Sequence, residues 1–294
     1  MAFEIGRFTE NKAASNHRDF IDKLRIFASK NGWVVKRWVK DVIQPTKPAE
    51  GIDELILQSN GESGQESIVV GFKTNFNATN DTYNILIWTS PLFSDGASFE
   101  NQPEMSPIHV VYAWQNNMDY LICLDKDHIK FWLNVSAGNT SHVGYVGKLR
   151  SYCSLGHWPR QLVVFGEGSN QNGRWSDQGD AYSSFQRMRG NPRSVFWTDD
   201  KWWNNGGTTF PVQTSSALIN SGANYNSGKA WMIQMMFLDN NKGAIGEFIG
   251  CFHINGDRLT NGTLLEDPLK TESWLVIQNI FRNGFNDYMA WELV

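Results

Sequence analysis

The residues best suited to chemistry are acidic side chains in two Asn- and Gly-rich segments. Asp177 and Asp180 stand in RWSDQGD, while Asp199 and Asp200 stand in WTDDKWW. Such carboxylates can coordinate calcium, or can flank a glycosidic bond as acid and base. The first segment supplies only two acids and no closing bidentate glutamate, so it lacks the register of a calcium loop. Solvated turn acids are the favoured interpretation, and we predict no catalytic residue, no metal and no cofactor.

Three tryptophans beside the second acidic segment form the other notable group, at Trp197, Trp202 and Trp203. Indole rings can stack on sugar rings, and they also serve as anchors in interfaces and cores because they bury large areas at low rotamer cost. The pattern is compatible with both uses.

Arg282 is a further interface candidate, in the segment QNIFRNGFND. A guanidinium between aromatic strands can hold a carboxylate bidentately. The carboxylate can be internal, at Asp287 or Glu292, or can belong to another subunit, and the sequence favours neither. The predicted interface residues are Trp197, Trp202, Trp203, Arg282 and Asp287.

Other sequence signals of catalysis are absent. The six histidines show no metal-ligand spacing, and the sequence contains no nucleophile elbow, phosphate loop or dinucleotide fingerprint. Cys123, Cys153 and Cys251 are far apart in sequence and odd in number. We therefore expect buried free thiols that act as small apolar side chains, in keeping with assembly in a reducing cytoplasm.

The chain has few charged and many aromatic residues, which favours some classes of protein over others. The 294 residues are 41% hydrophobic and only 19% charged, with thirteen Trp and eighteen Phe. This composition suits a subunit covered by its neighbours, or a sugar binder with exposed rings.

The charge and the apolar runs exclude two kinds of partner. A net charge of −4 argues against nucleic acid as the primary partner. No apolar run reaches the roughly 18 residues of a membrane span, so we expect no membrane partner. The first residues resemble no secretory signal, which disfavours a host adhesin.

One helix and many strands are predicted. Apolar residues recur at helical spacing between Asn16 and Asn31, where Ser15 or Asn16 can cap the start and Gly32 can end the helix. About a dozen short strands follow, so we predict a mainly β protein with antiparallel sandwich or barrel-like sheets and one N-terminal amphipathic helix.

Several turns and one long loop separate the predicted strands. Asn60-Gly61, Asn116-Asn117 and the segment 240–243 each stand between two apolar runs, as hairpin turns do. Residues 91–107 predict an exposed loop. Three ranges result: a helix and β framework at 1–167, a loop-rich central insertion at 168–228, and C-terminal hairpins at 229–294. All three can also form one domain.

Four segments of the chain share a pattern of strands and turns with known proteins. Asp119 to Gly168 gives the succession of aromatic strand, polar turn, apolar strand, Gly-containing strand and Pro corner. The other three are Glu54–Thr74, YNILIWTS at Tyr83–Ser90, and WLVIQNIFRNGFNDYMAWELV at Trp274–Val294. Through these segments, much of the chain resembles a family of structural proteins from the particles of tailed bacteriophages. The central range matches no pattern of that family.

The resemblance implies a non-enzymatic structural subunit. Such a protein would lie in the virion, assemble in the bacterial cytoplasm, and contact copies of itself in a ring and other phage tail or neck proteins. A neck or collar position is slightly preferred, and a baseplate component is the close alternative. The alternative from another class is a carbohydrate-binding tail protein that uses Trp197, Trp202 and Trp203.

Overall fold

The protein is mainly β, with 55% of the residues that the structure describes in strands and 9% in helices. Three antiparallel sheets and one α-helix form the part of the chain that the structure describes, and no sheet there closes into a barrel. The predicted fold class is thus confirmed. The computed structural model describes residues 1–9, 15–41, 47, 49–135, 140–153, 158, 160–173, 193–196, 201–203, 207–210, 232–239, 243–254, 256, 259–267, 272–278 and 288–293.

The elements follow one another along the chain with strands predominating. The first are β1 (Ala2–Phe8), α1 (Asn16–Lys30), β2 (Val34–Val39), β3 (Glu54–Ser59), β4 (Ile68–Asn77), β5 (Thr82–Ser90), a 3-10 helix (Phe99–Asn101) and β6 (His109–Val111). Next come β7 (Met118–Leu124), β8 (His128–Val135), β9 (Thr140–Lys148), β10 (Arg150–Ser151), β11 (Leu162–Phe165), β12 (Arg193–Phe196) and β13 (Trp202–Trp203). The last are β14 (Gly207–Phe210), β15 (Met232–Asp239), β16 (Gly243–Ile254), β17 (Leu264–Asp267), β18 (Glu272–Gln278) and β19 (Tyr288–Glu292).

The strands pair into three sheets. The central sheet has the order β1-β7-β8-β9-β11-β12-β13, and the helix-side sheet has the order β2-β3-β4-β5-β6. The C-terminal sheet has the order β14-β15-β16-β19-β18-β17, with β10 paired to β16 outside that path. The central sheet joins the first strand of the chain to strands more than a hundred residues away.

The inner strands of the central sheet, β7, β8, β9 and β11, are buried on both faces. One face packs with α1 and the helix-side sheet, where Ile122, Phe131 and Val146 lie in one apolar core. The other face packs against the C-terminal sheet, where Leu121 and Val163 join a second core. Alternate residues of one strand therefore belong to different cores, as the side-chain period of two requires.

Helix α1 confirms the predicted segment and buries more than its apolar stripe. Phe20 and Leu24 are fully buried, and Gly32 follows the helix with φ of +92°. Ser15 occupies the N-cap position without a side-chain cap bond. The polar first turn is buried as well, and Arg18 pairs there with Asp53 at the start of β3.

Most predicted hairpins are confirmed, and one strand pairing is wrong. β15 and β16 pair across 240–242, while β3 and β4 pair across 60–67. The runs around Asn116-Asn117 do not pair with each other, because β6 joins the helix-side sheet and β7 joins the central sheet. That turn therefore links two layers of the structure.

The segment 91–107 is anchored more firmly than an exposed loop. Phe99 is fully buried beside Trp88, with ring centroids 5.4 Å apart. The Gln102 side chain donates to the carbonyl oxygens of Ala97 and Ser98, each at 3.1 Å. The prediction of an exposed loop is wrong at these positions, because the ring fills a gap over the helix-side sheet.

The predicted division at 168 and 228 stays a prediction. The described strands between those positions join the framework sheets, since β12 pairs with β11 and β14 pairs with β15. The three cysteines are free thiols, with Cys123 and Cys251 buried. No helix in the described part of the chain is long and apolar enough to cross a membrane.

Candidate interaction surface

The exposed apolar side chains concentrate on strands at the edges of sheets. In the described part of the chain, β1, β2 and β17 each have a strand partner on one side only. Ten large apolar side chains are exposed there, and half of them lie on these three strands. Those five are Phe3, Ile5, Val34, Val39 and Leu264. A strand with unpaired backbone groups and exposed apolar side chains is a template for pairing with another chain.

Strand β1 is the longest and most regular of the three. All seven of its residues pair with β7 in an unbroken antiparallel register, from Ala2 opposite Leu124 to Phe8 opposite Met118. Its residues alternate between partly buried and exposed positions. No bulge interrupts the strand, so its outer backbone edge is continuous over all seven residues.

Phe3 and Ile5 extend a core face beyond the edge of the C-terminal sheet. They are 40% and 45% exposed. Their direct partners across the strand pair are Cys123 and Leu121, which lie fully buried in the core between the central and C-terminal sheets. Directly opposite residues share a face of the sheet. The apolar face thus continues outward from the core and ends exposed on β1.

The other face of β1 is anchored to the body of the protein. Tyr120 Oη donates to Glu4 Oε1 at 2.9 Å, and Lys23 Nζ lies 3.0 Å from the same oxygen. Phe8 stacks on the Tyr120 ring with centroids 4.7 Å apart. A Cβ at Gly6 would lie 2.6 Å from Tyr120 Oη, so glycine lets the ring cross the strand. Burial and then the Glu4 carboxylate raise the pKa of Tyr120, which keeps its hydroxyl a donor.

Strand β2 carries features that discourage pairing. Its register with β3 shifts between Val35 and Arg37, which interrupts the flat edge. The Arg25 guanidinium lies 4.9 Å from the centre of the Trp38 ring and places a cation on the strand. Bulges and edge cations are the usual means by which proteins protect exposed strands.

Strand β17 is short and acidic. It has four residues, and two of them are Glu266 and Asp267. Its exposed apolar side chain is Leu264, which is 53% exposed. Short strands and edge charges both oppose association. β1 also carries charges, but Glu4 and Arg7 are paired with Lys23 and Asp119 of the same chain. With seven residues and no register shift, β1 is the least protected of the three edges.

The structure places one of the predicted interface side chains and leaves most of the others undescribed. Trp202 is half-buried in β13, packs against the core beside α1, and donates its indole N–H to the carbonyl oxygen of Glu104 at 2.7 Å. Trp203 lies in β13 opposite Val195. Trp202 therefore acts as an anchor within the subunit in this structure. Trp197, Arg282 and Asp287, together with the acids Asp177, Asp180, Asp199 and Asp200, lie outside the described residues.

Two hypotheses stay predictions because most of their side chains lie outside the described residues. They are the carboxylate partner of Arg282 and the stacking of sugar rings on Trp197, Trp202 and Trp203. Only the Trp202 side chain of the proposed platform is described, and its ring edge is held by the Glu104 carbonyl. A stacking platform needs an indole face open to solvent. No observation on the described residues favours the carbohydrate-binding alternative.

A buried histidine and glutamate form the closest approach to an acid–base pair. His142 Nδ1 lies 2.7 Å from Glu167 Oε2, and the Val143 N–H donates to the other carboxylate oxygen at 3.2 Å. The two side chains are 0% and 1% exposed. Tyr112 packs edge-on against the imidazole at 5.4 Å. A pair so enclosed cannot reach a substrate in this conformation, and its effect is to fix β9 to the chain after β11.

A buried lysine joins the central and C-terminal sheets. Lys130 Nζ donates to the carbonyl oxygens of Ile249 and Gly250, each at 2.9 Å. The lysine is fully buried, and its ammonium lies 5.7 Å from the centre of the Trp291 ring. The two carbonyls belong to β16, where Gly250 has φ of +63°. This contact stabilises the stacking of the sheets.

The Asp-Lys-Asp turn between β7 and β8 has a structural role. Asp125 Oδ1 accepts the backbone N–H groups of Asp127 at 2.8 Å and His128 at 3.0 Å. Burial acts to raise the pKa of Asp125, but the His128 ring and these two donors outweigh it and lower the pKa to about 2. Burial lowers the pKa of His128, whose ring stacks on Tyr145 at 4.9 Å.

Metal binding finds no support in the same region. Among the described residues, no group of three His, Cys, Asp or Glu side chains converges to hold a metal ion. The buried pairs Arg18–Asp53 and His142–Glu167 join elements of the fold, as does Lys130. Among the described surfaces, the exposed face of β1 is the candidate for contacts with another chain.

Sequence reasoning missed Phe3 and Ile5. The apolar residues of the segment AFEIGRF stand at chain positions 2, 3, 5 and 8 and follow no regular period of two, so the sequence gives only a weak strand signal there. Their exposure at an edge depends on pairing with β7, which no local pattern reveals. Comparison of the chain with protein-family models and with curated proteins finds no match.

Proposed function

We propose that this chain is a non-enzymatic structural subunit of a tailed-phage particle. It would assemble through contacts with copies of itself and with other tail or neck proteins. The observation that carries the proposal is the position of the exposed apolar side chains, half of which lie on three open sheet edges in the described part of the chain.

Open strand edges with exposed apolar side chains are typical of a subunit that associates with other chains, and not of a monomer. A protein that stays monomeric gains nothing from an unprotected strand such as β1, which exposes it to unwanted pairing. A subunit that is covered in its assembly needs such surfaces. The low share of charged residues, 19%, is in keeping with a surface of which much is covered by neighbours.

The interior supports a structural role. The ion pairs Arg18–Asp53 and His142–Glu167 are almost fully buried, and each joins separate elements. Together with Lys130 they clamp the helix and the sheets into one rigid frame. A rigid frame is the property that a repeated building block needs, because each copy must present the same surfaces.

A ring is the form we propose for the assembly, at the neck or collar. The resemblance to virion structural proteins of tailed phages supports this class of particle, and a baseplate position is the alternative. The net charge of −4 argues for protein partners over nucleic acid. Assembly would take place in the bacterial cytoplasm, where the free thiols stay reduced.

Two measurements test the proposal together. Sedimentation velocity and electron microscopy of the purified chain should show closed oligomers without added ligand. Electron cryomicroscopy of purified particles should then place the chain as a ring at the neck or baseplate. A chain that stays monomeric at every concentration and is absent from the particle would overturn the proposal.

A further inference from the structure

We infer that β1 pairs antiparallel with β1 of a second copy, with Ile5 of each copy on a two-fold axis. This inference rests on the proposed function, because it names the edge through which copies associate. The central sheet of one copy would continue into the central sheet of the other. The contact closes on itself, so it leaves the edges of the other sheets for contacts around a ring.

The register follows from strand length. Two copies related by a two-fold axis perpendicular to the sheet keep the same faces up, so directly opposite residues must have the same parity. Only a register centred on Ile5 pairs all seven residues of Ala2–Phe8 with the seven of the second copy. Every other allowed centre leaves strand residues unpaired.

The exposed face is complementary in this register. Ile5 lies opposite Ile5 of the second copy, and Phe3 lies opposite Arg7 of the second copy. The Arg7 side chain is 62% exposed and its Nε lies 3.1 Å from Asp119, so its guanidinium stands at the surface beside the edge. A guanidinium near a phenyl face is a favourable cation–π pair. An apolar centre is thus flanked by an aromatic and a cation at both ends.

The opposite face is complementary in size. Phe8 lies opposite Ala2 of the second copy, and Glu4 lies opposite Gly6. Each pair sets a large side chain beside a small one, so the anchored Tyr120 ring over Gly6 keeps its place. Both faces of the joined strands therefore accept the Ile5-centred register.

Neighbouring registers are opposed by charge. A centre at Glu4 sets two carboxylates directly opposite each other, and a centre at Arg7 does the same with two guanidinium groups. Like charges directly opposite destabilise a strand pair. A register centred on Gly6 leaves Phe3 without an opposite residue in β1 of the second copy, and it places Glu4 opposite Phe8. The Ile5-centred register is the one that satisfies length, size and charge together.

Cysteine cross-linking tests the register. Ile5→Cys, in a Cys153→Ser background that leaves only the two buried native thiols, should give a disulfide-linked dimer on mild oxidation. Opposite Cα atoms in an antiparallel pair lie about 4.5–5.5 Å apart, within disulfide reach. Phe3→Cys alone and Arg7→Cys alone should stay uncross-linked, while an equal mixture of the two should form the mixed dimer.

A charge substitution with a matched control tests the surface. Ile5→Lys places two ammonium groups at the axis and should raise the dimer dissociation constant at least about a hundredfold in sedimentation equilibrium. Leu264→Lys makes a similar change on the β17 edge and should leave that constant unchanged. Circular dichroism and thermal unfolding confirm that both variants fold, and the cysteine variants test the register should Ile5→Lys fail to fold.

The outcomes separate this inference from the proposed function. Oligomers that persist in Ile5→Lys, without cross-linking of Ile5→Cys, would overturn the β1 pairing and leave the assembly function standing. Cross-linking of Phe3→Cys with itself would overturn the register. A wild-type chain that is monomeric at every concentration would overturn the pairing, and its absence from the particle would overturn both.

Discussion

The buried ion pair between Arg18 and Asp53 offers a quantitative test of how helix α1 is held. Arg18 donates through Nε to one carboxylate oxygen at 3.1 Å and through Nη2 to the other at 2.6 Å. The same Nη2 donates to the carbonyl oxygen of Asp41 at 2.6 Å, while the Asp41 N–H donates to Asp53 at 3.0 Å. The two side chains are 1% and 0% exposed.

Asp53→Ala should lower the free energy of unfolding by about 3–5 kcal/mol. The substitution removes the carboxylate that pairs with a guanidinium only 1% exposed to solvent, so a desolvated charge loses its counter-ion. This is a large part of the roughly 5–15 kcal/mol that stabilises an ordinary domain. The double variant Arg18→Met, Asp53→Leu should regain part of the loss, because an apolar pair of similar volume carries no desolvation penalty. The recovery is incomplete because the Asp41 carbonyl and N–H lose these two partners.

The control lies on the same helix. Asp22 pairs with Arg25 at 2.7 Å and with Lys40 at 3.0 Å, and the three side chains are 28–35% exposed. Asp22→Ala should cost at most about 1 kcal/mol, because solvent screens both pairs. Urea unfolding followed by tryptophan fluorescence measures all three variants. An Asp53→Ala cost equal to that of Asp22→Ala, at unchanged m-value, would refute the claim that burial makes this pair a lock.

Three further predictions concern β1, acid stability and the thiols. Gly6→Ala should displace the Tyr120 ring and lower the free energy of unfolding by about 1–3 kcal/mol, and an unchanged urea midpoint would contradict this. Burial and then the Arg18 charge lower the pKa of His17 to about 3, so the folded state resists protonation that the unfolded chain accepts below about pH 6.5. The unfolding free energy of the wild type relative to His17→Gln should therefore fall on acidification from pH 6.5 towards 3, by up to about 1.4 kcal/mol per pH unit, whereas a constant difference would show that His17 titrates normally. Burial raises the pKa of the Cys123 thiol to about 12, so an aromatic disulfide reagent at pH 8 should label one thiol, Cys153, in the native protein and three in denaturant; three rapid reactions in the native state would contradict the burial.

The local parts of the fold could be predicted from sequence because their signals lie within one segment. The β15–β16 hairpin follows from two apolar runs that flank 240–243, and α1 follows from helical spacing before Gly32. In each case the turn or cap and the pattern that it joins are neighbours along the chain. No distant partner is needed to recognise such elements.

The pairings between distant segments could not be predicted in the same way. β6 and β7 look like a hairpin around Asn116-Asn117, yet they enter different sheets. β1 pairs with β7 although more than a hundred residues separate them. Alternating residues mark a strand without naming its neighbour, so the choice among sheets depends on which cores the side chains fill.

The candidate site shows the same limit. Trp202 is a predicted interface residue, and the structure uses its ring as an internal anchor on the Glu104 carbonyl. Phe3 and Ile5 are not among the predicted interface residues, because the sequence of a strand does not show which of its apolar side chains the stacked sheets will bury. Their exposure arises because the C-terminal sheet leaves β1 uncovered.

The sequence by itself determined the class of fold, the single helix and the free thiols, because composition, periodicity and turn residues act over short distances. Tertiary structure alone decided which strands stand at the edges and which polar groups are sealed inside. Those outcomes depend on burial, and burial is a property of the whole packed chain. No strand is predicted at Ala2–Phe8 from the sequence, and the stacking of three sheets decided that one face of this strand stays open.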